Sequence, residues 1–187
     1  MAIYVPDKTG RFSRRPHYKP EELDDECENI ILSFLNECYG EVNFPVSTND
    51  LTKLIERDAE DLDLYADLSE FGPDVEGVTE FQLHQRSFVK IAQELSEDAR
   101  RENRLRTTLT HEYGHVHFHA PLCELESLDN DLFSNRRSME ACRRETILEA
   151  SQNDWMEWQA GYVCGALLMP VSFVKQRVRT YYQEHRI

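Results

Sequence analysis

The hydrophobic period of this chain switches from helical to alternating and back, and that switch constrains its fold more than any other feature. After Pro20, the residues Leu23, Cys27, Ile30, Ile31, Phe34, Leu35 and Cys38 keep the spacing of one helical face, and Gly40 ends the run. Thr48 or Asn49 can cap a second, shorter helix reaching about Ala59. At Asp61 the pattern becomes strict alternation through Leu68, the signature of a strand with one wet face. Gly72-Pro73-Asp74 is a turn, a second strand covers 75–83, and a third covers 87–92. Such short connections predict an antiparallel meander. A helix is then expected from about Ala99 to His119, stopped by Pro121. Residues 122–150 are less regular, with acidic residues from Glu124 to Asp131 and a short helix expected over 138–150. Two last helices, over 153–168 and 171–184, are separated at Met169-Pro170. The expected class is therefore α+β, a small antiparallel three-stranded sheet packed with a long helix and C-terminal helices.

Composition narrows the setting. At 187 residues the chain fits one domain with a core of its own, and 40% hydrophobic with 30% charged residues is ordinary for a globular protein. It has no apolar run long enough for a transmembrane helix, and its first residues lack the apolar stretch of a signal peptide, so a cytoplasmic location is the expectation. Five cysteines without a C-x-x-C pair read as reduced thiols. The net charge of −14 is uneven: residues 1–19 carry Lys8, Arg11, Arg14, Arg15 and Lys19 against Asp7 alone. We read 1–19 as a basic arm and 20–187 as one domain. The acidic body argues against direct nucleic-acid binding, and the arm is expected to lie across that body, with contact to nucleic acid as the alternative.

Chemistry is concentrated in His111-Glu112-Tyr113-Gly114-His115, an H-E-x-x-H pattern. On a helix His111 and His115 share a face and can offer two imidazoles to one ion. Glu112 is offset around the helix, where it can reach a water without being a ligand. Two histidines leave a catalytic metal site one ligand short. Pro121 stands where the extended motif H-E-x-x-H-x-x-G-x-x-H needs its last histidine, and Phe118 replaces its glycine. His119 lies roughly 12 Å along the axis from His111, too far to share an ion with it. Glu157, flanked by Trp155 and Trp158 on an apolar helix, is the remaining option, because a buried carboxylate needs a partner. A capping box of Asp154 and Glu157 is the competing reading, although Ser151 with Asp154 fits the same box and would free Glu157.

Thr107-Thr108-Leu109-Thr110 before the motif, Glu157-Trp158-Gln159-Ala160-Gly161 after it, and Ala166-Leu167-Leu168-Met169-Pro170 at its end resemble the ImmA/IrrE family of metallopeptidases. The resemblance covers roughly residues 60–180. It implies a zincin-like, gluzincin-like fold, with His111, His115 and Glu157 as ligands of Zn²⁺ (or Mn²⁺) and Glu112 as catalytic acid/base. It also implies that strand 87–92 is an edge strand pairing with an extended substrate, with an ordinary core strand as the alternative. Gly161 departs from the Asn or Asp common in that family, which leaves the group orienting a ligand unassigned. The long segment 120–150 between the ligand helices is a further departure and a candidate lid.

Several roles stay open at this point. Tyr162, His119 and His117 are candidate donors to a tetrahedral oxyanion, with ordinary packing as the alternative, above all for His117. A thiolate of Cys123 or Cys142 is a candidate inhibitory ligand at the open metal position, against the plainer reading of buried thiols. The family resemblance implies a regulatory endopeptidase acting on a protein, such as a DNA-binding repressor encoded nearby on a mobile element. The rival from another class is a zincin scaffold that sequesters its partner, as in a toxin–antitoxin pair. An intact Glu112 favours the enzyme, since a scaffold needs no base.

Overall fold

The computed structural model describes residues 3–82, 85–123 and 154–185, together with the backbone of 138–143. The N-terminal arm is a hairpin of β1 (Ile3–Pro6) and β2 (Arg14–His17), with Gly10 in the left-handed region between them. Arg11 pairs with Asp154 at 2.9 Å, and Phe12 meets Trp155 edge-on. This basic segment therefore lies on the rest of its own chain.

Helix α1 (Pro20–Tyr39) starts on proline, whose missing N–H costs nothing at a first helical position, and ends at Gly40 with φ of 69°. Its stripe of Leu23, Cys27, Ile31, Phe34 and Leu35 is buried, as the spacing predicts. Helix α2 (Thr48–Asp58) is capped by Ser47, one residue earlier than expected. The Ser47 hydroxyl accepts from Asp50 N–H, while the Asp50 carboxylate accepts from Ser47 N–H.

The sheet corrects the meander. Strands β3 (Asp61–Ala66), β4 (Val75–Phe81), β5 (Phe88–Ala92) and β6 (Ser138–Arg143) lie in the order β3-β5-β4-β6. β3 and β5 are parallel, and β4 runs antiparallel to both its neighbours. The residues from Asp67 to Asp74, including a 3₁₀ turn over Ser69–Phe71, give the chain room to cross from β3 past one strand position. Burial explains the order: every residue of β4 is buried, as suits a central strand, whereas β3 alternates and takes an edge. β5 is consequently an inner strand and not the edge expected for substrate. The helix expected over 138–150 is replaced in its first six residues by β6, paired along β4; its remainder, 144–150, lies outside the described residues. So does most of the candidate lid.

After the short α3 (Gln93–Glu97), helix α4 (Glu102–Gly114) carries the H-E-x-x-H motif and continues as a π-helical turn over His115–His119. In that turn Ala120 N–H reaches back to His115 C=O. The helix does not stop at Pro121 but runs on to Cys123. Wide π turns and proline are both departures from the regular i→i−4 ladder, and here they sit side by side. Glu76 on β4 pairs with Arg101 and Arg104 and pins the start of α4 to the sheet. Helix α5 (Trp155–Leu168) packs along α4, and α6 (Val171–His185) follows Pro170 with no buried residue. Among the described residues no helix is long and apolar enough to cross a membrane.

Removing the Ser47 hydroxyl takes away one half of the capping box. Ser47→Ala is expected to lower stability by about 1 kcal/mol, read from urea denaturation midpoints at unchanged m-value.

Candidate metal centre

The site forms where α4 and α5 come unusually close. A Cβ on Gly114 would stand 3.1 Å from the Ala160 Cα and 3.3 Å from its Cβ, so a larger residue would push the helices apart. This contact puts Glu157, one turn before Ala160, level with His111 on α4 and His115 at the start of its π-helical continuation. Asp154 caps α5 by accepting from the backbone N–H groups of Met156 and Glu157. The Glu157 side chain takes no part in that cap, so the capping box of Asp154 and Glu157 does not form.

Three donor atoms converge. His111 Nε2 and His115 Nε2 are 3.2 Å apart, and each is 3.2 Å from an oxygen of Glu157. Both imidazoles are fully buried, and Glu157 is 6% exposed. Among the described residues neither Glu157 oxygen has a formed hydrogen bond, and His111 Nδ1 has no partner. Burial alone would raise the Glu157 pKa, but the adjacent imidazoles hold it well below the ordinary carboxylate range. Burial pushes the His111 imidazole below its own usual value. The result is an ionised carboxylate out of water beside a His111 imidazole that does not charge readily.

That donor set fits a divalent cation. Ligands about 2.0 Å from one ion at tetrahedral angles lie about 3.3 Å from one another, close to the spacing found here. An isolated buried carboxylate is unfavourable by several kcal/mol, and a cation would relieve it. His111, His115 and Glu157 are the group among the described residues whose donor atoms gather in this way.

Glu112 projects from the same helix toward the sheet. Its Oε2 accepts a 2.6 Å hydrogen bond from the Thr79 hydroxyl on β4. The strand can approach because residue 77 is glycine: a Cβ there would lie 2.5 Å from Glu112 Oε1 and 2.9 Å from Thr108 Cγ2. Tyr113, the variable residue of the motif, donates to Asp58 at 2.6 Å and ties α4 to the end of α2.

The other candidates fall in different places. His119 is fully buried behind His115, its Nδ1 2.9 Å from His115 Nδ1 and its Nε2 3.0 Å from Gln159 Oε1. It meets His115 through Nδ1, whereas His115 Nε2 faces the donor cluster. Tyr162, five residues past Glu157 and on another helix face, donates to Asp24 on α1 at 3.0 Å. His117 stacks on Tyr113 and lies 3.5 Å from Glu26. These contacts bring neither side chain to the donor cluster. Cys123 packs with Phe81, Leu122, Trp155 and Met156. Cys142 is in β6 at the register position opposite Gly77, with its side chain outside the described residues. Thr79, Gly77 and Gln159 were not singled out by sequence, and of the three only Gly77 carried a signal, a glycine inside a strand pattern.

Comparison of the chain with protein-family models, with curated proteins and with solved structures returned no match.

Close helix contact leads to a direct expectation. Gly114→Val should lower stability by about 1–3 kcal/mol through overpacking against Ala160. Thermal and urea denaturation measure it, and a wild-type midpoint would mean that the helices have room to spare.

Proposed function

We propose that the chain is a metal-dependent endopeptidase, with His111, His115 and Glu157 holding Zn²⁺ or Mn²⁺ and Glu112 acting as general acid/base. The observation that carries this reading is the triangle of donor atoms at 3.2 Å, with the Glu112 carboxylate, next in sequence to His111, held by Thr79. A divalent cation held there supplies Lewis acidity and lowers the pKa of a coordinated water toward neutrality.

The remaining chemistry belongs to the chain. Glu112 takes a proton from the attacking water and returns it to the leaving amine. Thr79, bonded to Oε2, orients the carboxylate, and its donated hydrogen bond stabilises the ionised form that a base must start from. Gly77 keeps that carboxylate from being displaced by a strand side chain. Similarity of three ordered motifs to the ImmA/IrrE family supports a zincin-like classification and a protein substrate, with a repressor-like regulator as the proposed partner. A scaffold that only sequesters its partner would have no use for an oriented base on the helix that carries the two histidines.

Glu112→Gln separates the two. The variant is expected to keep metal but to lose cleavage by at least 10²-fold. The assay is mass spectrometry of new termini in an unstructured peptide library incubated with zinc-loaded protein. Equal cleavage by the variant would remove Glu112 from the mechanism. A variant that retains the full effect of the wild type in cells would favour sequestration.

A further inference from the structure

We propose that His119 and Gln159 form a buried relay that fixes the tautomer of His115 and thereby sets how tightly the centre holds its cation. This rests on the metal-centre reading above and adds to it two positioning residues outside the donor triangle.

The relay follows from which nitrogen carries the proton. To offer a lone pair from Nε2, a neutral His115 must keep its proton on Nδ1. That N–H points at His119 Nδ1, 2.9 Å away, which must therefore be unprotonated to accept it. A neutral His119 then carries its proton on Nε2, where it faces Gln159 Oε1 at 3.0 Å. Each group decides the state of the one before it, and the last is an amide oxygen that can only accept. His115 and His119 are fully buried and Gln159 is 3% exposed, which limits the water available to take over either bond.

Glutamine gives the relay a second consistent setting. With its amide turned over, Gln159 would donate to His119 Nε2, His119 Nδ1–H would donate to His115 Nδ1, and the His115 proton would sit on Nε2. That proton would face Glu157 Oε1, 3.2 Å away, in place of a cation. Cation-holding and cation-free arrangements thus differ by one amide rotation and two tautomers, with no backbone change. A carboxylate at position 159 accepts only, so it permits the cation-holding setting alone. The helix geometry serves the same end: Gln159 lies between Glu157 and Ala160 on α5, so the Gly114–Ala160 contact that places the carboxylate ligand also places the end of the relay.

The test is zinc affinity by chelator competition for the full chain, Gln159→Leu and Gln159→Glu, with long-range ¹H–¹⁵N histidine spectra of the zinc-loaded wild type. Gln159→Leu is expected to bind zinc about 10- to 100-fold more weakly, the usual loss when a ligand histidine's outer partner is removed. Gln159→Glu is expected to bind at least as tightly as the wild type. The spectra should show Nδ1–H on His115 and Nε2–H on His119. Tight zinc binding by the wild type with both variants within twofold of it overturns the relay alone. Lack of zinc binding by the wild type overturns the centre and the relay with it. Should Gln159→Leu not fold, the tautomers in the unaltered chain decide, and a proton on His119 Nδ1 in the zinc-loaded state refutes the relay.

Discussion

The carboxylate of Glu157, held out of water between two imidazoles, is the interaction on which the rest of this structure depends. Burying one ionised group without a partner costs several kcal/mol, a large part of the stability of an ordinary domain. The chain keeps it buried nonetheless and spends three separate features on doing so. Gly114 and Ala160 let α4 and α5 touch at backbone distance. Asp154 caps α5, leaving the Glu157 side chain free to turn inward. The N-terminal hairpin then covers that end of α5 through Arg11 and Phe12.

Sheet and helix serve Glu112 in the same way. β4 is buried along its whole length, and its Gly77 and Thr79 face the motif helix, one making room and the other making a hydrogen bond. Strand order follows from this, because a fully buried strand needs a neighbour on both sides, and β5 and β6 supply them. The motif residues that bind nothing also have work to do. Tyr113 anchors α4 to α2 through Asp58, and burial with that carboxylate pushes its phenol pKa up, so it stays a neutral donor.

What the sequence revealed and what it hid divide along physical lines. Helices α1, α5 and α6 were legible because each carries a long periodic or apolar run with a proline or glycine at an end. The cluster of His111, His115 and Glu157 was legible because helical spacing puts the two histidines on one face and a carboxylate on an apolar helix calls for a buried partner. Strand order was not, since pairing partners depend on contacts across the sheet and alternation names only a strand's faces. β6 was missed because Ser138–Arg143 has no strong strand period, and its place is decided by the open side of β4. Pro121 was read as a stop, but the adjoining π turn carries the helix past it. Gln159 and His119 could be seen as polar residues, but their partnership requires two helices in register, which only the fold supplies.

The central claim is that Glu157 is buried as a cation ligand. Metal analysis of the purified full chain, supplied with zinc and dialysed, beside Glu157→Ala tests it most directly. One divalent ion per wild-type chain and a loss to well below one in the variant is the predicted result. Equal metal content in the two proteins, or none in either, would contradict it.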